Sequence, residues 1–313
     1  PSMIHLRLIV PVEIAPAVFR RLADTAGVAH VVRLTASEVS PPGEVILCDV
    51  AREAANDLVE WLQDQGVHRV GAITIESLDT VVSDAAQLAA EVAPGKGGDS
   101  LIWEEIEFRA RSDASLTVSF LVFIAVAAVI SGIGILLDAP ILIVGAMVVG
   151  PEYGPLAALC VAVCRWRRPP AVQAATTLAV GLLAAAAAAL VATVAFRVTG
   201  LAPDTYAITN RQLTAFIARP DGMAAVVAVL AGIVGMLALT EARSGALIGV
   251  LVSVTTIPAA ANIGVATAYG EWPEVRGAAL QLVVNVAGLV VAGIATLTAQ
   301  SRVTTRAGKS QAA

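Results

Sequence analysis

The sequence predicts an α-helical polytopic membrane protein, with six transmembrane helices in a 3+3 inverted repeat and an N-terminal α+β, ferredoxin-like cytosolic domain. Three observations carry that reading. The 313-residue chain is 57% hydrophobic with a mean hydropathy of +0.80, too apolar for a soluble globule that must keep a charged surface. Its charges are segregated, residues 114–300 holding only 15 of the 45 charged side chains. Six apolar stretches fall inside that region, each near the roughly 20 residues that span hydrocarbon.

The first 98 residues, by contrast, hold 7 Lys/Arg against 13 Asp/Glu, an acidic balance that argues against nucleic acid or anionic lipid as their partner. Residues 3–10 alternate as a strand through Ile4, Leu6, Leu8 and Val10, and residues 12–26 carry helical spacing at Val18, Leu22 and Ala26, closed by Gly27. A second strand follows at 28–34, a turn at Pro41-Pro42-Gly43 and a third strand at 44–50. Leu58, Leu62 and the stop at Gly66 define a second helix, and residues 69–75 a fourth strand. The order β-α-β-β-α-β is the split β-α-β of ferredoxin-like domains, small sheets with both helices on one face. That fold alone assigns no chemistry. His5, His30 and His68 lie in or beside strands without ligand spacing, which favours ordinary surface or core positions over metal ligation. Cys48, Cys160 and Cys164 cannot form a paired framework and fit a reduced compartment.

The domain plan is a cytosolic domain over 1–90, a hinge and amphipathic linker helix over 91–113, a transmembrane domain over 114–300 with halves 114–200 and 221–300, and a cytosolic tail over 301–313. The hinge, Pro94-Gly95-Lys96-Gly97-Gly98, lacks the pattern of a phosphate loop. Leu101, Ile102, Ile106 and Phe108 make residues 100–113 an amphipathic elbow at the membrane surface. Pro1-Ser2 ahead of Met3 reads as a tag remnant, and no signal peptide is expected.

The spans are read at 115–137, 140–164, 171–196, 222–240, 244–269 and 277–299. Arg109, Arg111, Arg165, Arg167, Arg168, Arg243, Arg302, Arg306 and Lys309 fall on one side, against Arg197, Arg211, Arg219 and Arg276 on the other. This bias places both termini in the cytosol and the chain in a bacterial cytoplasmic (inner) membrane. A shift of 100 residues pairs Gly132, Ile133, Leu137, Gly145 and Ala146 with Gly232, Ile233, Leu237, Gly245 and Ala246, and a further slip of three pairs Pro155 with Pro258. Halves of three crossings each must insert upside down relative to one another, the plan of many transporters.

The densest chemical signal is Gly145-Ala-Met-Val-Val-Gly150-Pro151-Glu152-Tyr153-Gly154-Pro155. Pro151 and Pro155 remove two backbone donors, so the carbonyls of Met147 and Pro151 lose their usual partners and the helix is expected to break. Lipid tolerates such a break only where protein or a water-filled cavity satisfies the exposed backbone. The counterpart is Ser253-Val254-Thr255-Thr256-Ile257-Pro258, with three hydroxyls beside a proline. Freed carbonyls and hydroxyls suit cations, and half-helix N-termini attract anions. Glu152 adds a carboxylate that must be protonated, paired or hydrated at that depth. Asn262, Gln281 and Asn285 are candidates to line the same path or to bond between helices. The plainer alternative is that the prolines only kink packed helices and Glu152 lies near an interface. Cys160 and Cys164 share a helix face but lack a third ligand, which favours packing over metal or redox chemistry. Asp138 is expected to cap a turn, and residues 210–218 of the outer loop either lie on the membrane or cover the pore. No metal and no cofactor are expected.

The strings at 130–138 (Ile-Ser-Gly-Ile-Gly-Ile-Leu-Leu-Asp), 144–155 and 249–258 (Gly-Val-Leu-Val-Ser-Val-Thr-Thr-Ile-Pro) resemble an uncharacterised family of hydrophobic membrane domains, domain-of-unknown-function family 389. Its members usually read Gly-Ala-Met-x-x-Ala-Pro-Leu-Met-Gly-Pro at the first motif. Here Gly150 stands in place of alanine, Glu152-Tyr153 in place of an apolar pair, and Ile257-Pro258 where two prolines are common. The resemblance covers the membrane half, and the preceding domain fits the family's bacterial members. It implies architecture and brings no established substrate.

The leading expectation is a transporter or channel for a small ion or polar solute, its pathway lined by Gly150, Pro151, Glu152, Tyr153, Gly154, Pro155, Ser253, Thr255, Thr256, Pro258, Asn262 and Asn285, with the cytosolic domain regulating it. The alternative is a membrane-anchored sensor or scaffold whose soluble domain binds a metabolite or partner. An enzyme is not expected: the membrane half has no histidine, no Gly-x-Ser-x-Gly and no metal-ligand cluster. The partners expected are the lipid bilayer, a small ion or solute and further copies of the chain in a homo-oligomer, with no nucleic acid.

Overall fold

The computed structural model describes residues 3–35, 40–78, 80–93, 103, 106–107, 110, 114–203, 206, 213–219, 221–240 and 256–311, with side chains up to Arg302. They form two compact units, residues 1–105 with 299–313, and residues 106–298.

The first unit runs β1 (Met3–Val10), α1 (Ala15–Ala23), β2 (Val28–Leu34), β3 (Glu44–Ala51), α2 (Arg52–Asp64), a short α3 (Val67–Val70), β4 (Ala72–Leu78) and α4 (Asp84–Val92). The sheet order is β2-β3-β1-β4, every pair antiparallel, as the split β-α-β order requires. The period of two along β1 sends Ile4, Leu6, Leu8 and Val10 into one core with Ile46, Cys48 and Val50 of β3, Val18 and Leu22 of α1, and Leu58 and Leu62 of α2. Each such buried aliphatic side chain contributes roughly 1.5–3 kcal/mol. Burial pushes the Cys48 thiol up to about 12, which makes it an inert core residue.

A strand boundary and an unanticipated helix depart from the expectation. The fourth strand starts at Ala72 rather than 69, because Gly66 turns left-handed at φ 75° and residues 67–70 close one helical turn first. Gly71 then passes so close to the Ile9 carbonyl that no Cβ fits there. The third helix of any length, α4, was not anticipated. Ser83 caps it, accepting from the Ala86 amide at 3.4 Å, and its Ala86 and Ala89 pack with Met3, Ala29 and Ala51. Met3 is on the opposite face of β1 from Ile4, so α4 covers the side of the sheet that α1 and α2 leave open.

The second unit contains α5 (Val118–Leu136), α6 (Pro140–Val149), α7 (Tyr153–Cys164), α8 (Arg168–Val198), a 3-10 turn (Ala215–Ala218), α9 (Gly222–Thr240), α10 (Thr256–Tyr269) and the start of α11 (Trp272–Gln311). Among the described residues, four helices are long and apolar enough to cross a membrane: α5, α8, α9 and the 272–302 part of α11. The pair α6 and α7 makes a fifth if read as one bent span. Of the expected span at 244–269, residues 244–255 lie outside the described set, as do the hinge at 94–98 and residues 210–212. The helix of the last span continues without interruption through Gln311, so the expected tail at 301–313 is helical to that point.

Large apolar side chains point outward from these helices: Val122 and Phe123 of α5, Leu183 and Val191 of α8, Leu230 of α9 and Val283 of α11 are exposed. Lipid is the solvent that accepts such a surface. The inward faces are small, and Gly264 of α10 lies against the backbone of Ala186 and Leu190 in α8 with no space for a Cβ. Contacts link helices far apart in sequence. From α7, the Tyr153 hydroxyl donates to the Gly235 carbonyl of α9 at 2.5 Å, and the Cys160 thiol donates to the Val290 carbonyl of α11 at 3.8 Å. Conversely, α10 packs against α5 and α8, with Val265 beside Gly132 and Ala189 beside Gly264.

Two of the connecting turns are tied down. Glu107 pairs with Arg165 at 3.2 Å and with Arg167 at 3.6 Å, while Trp166 between them adopts φ 54° and is exposed. Asp138, at φ 51°, does more than cap its own turn. Its carboxylate accepts from the Thr214 amide and hydroxyl, both at 2.9 Å, and from the Leu213 amide at 3.2 Å. Thr214 and Ile217 are accordingly buried, so this part of the connection between α8 and α9 turns into the protein.

Candidate functional site

The second membrane segment is broken where its prolines sit. Helix α6 ends at Val149, Gly150 is extended at φ −69° and ψ 132°, and α7 resumes at Tyr153 with a bend of 54°. Pro151 cannot donate to Met147, so the ladder stops for a covalent reason. Glu152 stands at the N-cap of α7, the end of a helix that favours negative charge, yet its carboxylate makes no capping bond. It turns instead to α10, where Thr256 Oγ1 donates to Glu152 Oε1 at 3.0 Å.

The pair is closed in. Glu152 is 2% exposed and Thr256 fully buried. The second carboxylate oxygen, Oε2, has no hydrogen-bond partner among the described residues. A Cβ on Gly150 would overlap both Ile257 and that oxygen, so glycine is what allows the carboxylate to lie across the break. A buried carboxylate with one hydroxyl donor and one orphan oxygen is expensive, and the desolvation of an unmet polar atom alone costs about 1–3 kcal/mol. The arrangement can accept a proton, a cation or a donor group from a solute at Oε2.

The remaining expected site residues are distributed around this pair. Gly150, Pro151 and Glu152 make the break, Gly154 lies in the first turn of α7, and Pro155 and Pro258 are buried in α7 and α10. Tyr153 turns away to α9. Asn262 is six residues beyond Thr256, about 9 Å along the helix, and accepts a short hydrogen bond from the Tyr206 hydroxyl. Tyr206 stacks on Tyr269 with centroids 5.0 Å apart, and the Arg197 guanidinium lies 4.5 Å over Tyr269. Asn285 accepts from the Gln281 amide at 3.1 Å, one turn away on α11. Ser253 and Thr255 lie outside the described residues. Tyr206 and Tyr269 were missed from the sequence and Arg197 was read only as a loop charge, although a tyrosine and an arginine at the ends of apolar segments are an interfacial signal.

In the first unit the structure joins histidines that the sequence left apart. Asp49 Oδ1 meets His5 Nδ1 at 2.7 Å, Asp49 Oδ2 meets His30 Nδ1 at 2.6 Å, and His30 Nε2 meets Ser83 Oγ at 2.8 Å. His68 is exposed on α3 and takes no part. Among the described residues no group of three or more His, Cys, Asp or Glu is placed to hold a metal ion.

Apolar helices with outward hydrophobic faces and an interrupted segment define a multi-pass membrane protein. Residues 147–291, from the end of α6 into α11, match the family described as Domain of unknown function (DUF389). The match includes Glu152 and Thr256 and assigns no activity. No curated protein and no solved structure matches the chain.

Proposed function

We propose that the membrane unit transports a small ion or polar solute through a site at the break between α6 and α7, opposite Thr256. The observation that carries this reading is Glu152, a carboxylate buried to 2% exposure with one oxygen unmet among the described residues. Ionisable groups at such depth in a membrane protein mark pathways by default, because packing alone gives no reason to keep them. The six-span, 3+3 inverted plan with both termini in the cytosol belongs to the same proposal. Supporting it, Val118 and Gly222 at helix starts are 104 residues apart, as are Arg168 and Trp272, while the helix ends Cys164 and Tyr269 are 105 apart. The crossed contacts of α7 and α10 are those that two interlocked halves would make.

Flux into vesicles reconstituted with the full chain tests this directly. A panel of monovalent cations, protons, small anions and neutral polar solutes should include at least one that the wild type moves. Glu152→Gln should reduce that flux to the level of empty vesicles without lowering thermal stability. Wild-type vesicles inert to the whole panel would remove the proposal.

One observation favours the second reading, a membrane-anchored sensor or scaffold: the Glu152 region is tightly closed, Ile257 filling the space beside Gly150. In that case Glu152→Gln would leave the membrane unit unchanged in every transport assay. Ligand binding would then reside in the N-terminal domain.

A further inference from the structure

We propose that Ser83, His30 and Asp49 form a nucleophilic relay that hydrolyses small acyl esters at the surface of the N-terminal sheet. The connectivity is that of an activated serine: nucleophile to base at 2.8 Å, base to orienting carboxylate at 2.6 Å, each through the appropriate ring nitrogen. The members come from three elements, β3, β2 and the N-cap of α4, and are 19 and 53 residues apart, so no local turn accounts for their meeting.

Two features show how His30 is aimed. It lies in the register irregularity between Ala29 and Val32, and it adopts φ 53°, a left-handed conformation uncommon for a residue with a Cβ. Without that bulge its side chain would follow the alternation of β2. The carboxylate is held from both sides, since its other oxygen takes His5 Nδ1 at 2.7 Å. A carboxylate only accepts, so His30 presents Nδ1–H to it and leaves Nε2 as the base facing Ser83. His5 is a positioning residue.

Ser83 directly precedes α4. The Ala86 amide donates to its oxygen at 3.4 Å, which leaves the hydroxyl hydrogen for His30. The amides of Asp84 and Ala85 open the helix, where no intrahelical carbonyl reaches them, and the first follows the nucleophile as an oxyanion donor must. The site is open, the His30 side chain being 40% exposed. Asp84 beside the serine disfavours anionic substrates, so neutral or cationic short-chain esters are the class it fits.

In the step proposed, His30 Nε2 takes the Ser83 hydroxyl proton as Oγ bonds to the ester carbonyl carbon. The tetrahedral oxyanion collapses, the ester C–O bond breaks, and the leaving alkoxide takes the proton from His30 and departs as alcohol. Water, deprotonated by His30, then attacks the acyl-serine. Ser83 leaves with that proton restored and the carboxylic acid is released. The net reaction is ester plus water to acid plus alcohol.

The test uses the full chain in nanodiscs, a small fluorophosphonate and p-nitrophenyl acetate. The expected result is a time-dependent adduct mapped to Ser83 and ester hydrolysis above that of empty nanodiscs. Ser83→Asn, which retains a capping side chain, should lose both. His30→Asn, which tolerates positive φ, and Asp49→Asn should slow adduct formation by about 100-fold. No adduct at Ser83, or one that forms as fast in His30→Asn, overturns the proposal and leaves the trio as a clasp between the sheet and α4.

Discussion

Glu44 of the first unit and Glu152 of the second are both buried, and the two are treated in opposite ways. Glu44, 6% exposed, is met by the Arg33 guanidinium in a two-pronged contact: Nε donates to Oε2 and Nη2 donates to Oε1 at 3.0 Å. The hydrogen bond from Arg33 holds the Glu44 carboxyl below its usual range, and Glu44 raises Arg33 in return. Glu152 receives one neutral hydroxyl, with an orphan oxygen among the described residues. A fully answered charge fastens strands together, whereas a half-answered one is available to something that arrives later. The contrast separates a structural carboxylate from a candidate working one by partner count rather than by depth.

That contrast can be broken by exchanging the effects. Glu152→Gln keeps an acceptor for Thr256 and should abolish flux while the melting temperature is unchanged, the largest difference expected between any variant and wild type. Glu44→Gln should do the reverse, lowering the melting temperature of the N-terminal unit and sparing flux. A flux defect in Glu44→Gln together with a normal Glu152→Gln would collapse the distinction. The pH dependence has a defined sign. Because the folded Glu44 pKa is depressed, its contribution is complete above the ordinary value of 4.5 and is lost as pH falls below it. Thermal melts of wild type should therefore lose stability on acidification by more than melts of Glu44→Gln.

Smaller effects sharpen the picture around Glu152. Gly150→Ala must displace Ile257 and the carboxylate, and overpacking of this kind costs about 1–3 kcal/mol. Reduced thermal stability with reduced flux is the expected pair of readings. Gly145, in the same motif, has open space where a Cβ would go. Gly145→Ala should be neutral or stabilising by up to about 1 kcal/mol, with flux intact. A glycine run that looks uniform in sequence would thereby divide into one residue the site requires and one it does not.

The parts legible in the sequence were those set by covalent chemistry or short period. Pro151 lacks an N–H whatever surrounds it, so the break at 150–152 was readable. Alternation at Ile4, Leu6, Leu8 and Val10 gave the first strand and its buried face. What escaped depends on register or on distant partners. Asp49 faces His5 because those positions pair across β3 and β1, and it reaches His30 only through a bulge in β2. Tyr153 bonds Gly235 across 82 residues, and Asp138 bonds Thr214 across 76. Helix α4 was overlooked because alanines carry its buried face, and they give a weak apolar signal. The fifth apolar stretch shows the limit of composition alone, since only Thr256–Tyr269 of it is described.

The crossed contacts of α7 and α10 bear on how the chain is made. A ribosome releases the first half with Tyr153 and Glu152 already in the bilayer, while Gly235 and Thr256 are still unsynthesised. Until those partners emerge, α7 is an orphan that membrane quality control can recognise. Expressed alone, residues 1–200 should be short-lived in cells. Co-expressed with residues 201–313 as a separate polypeptide, they should persist, because each fragment carries the helix that the other lacks.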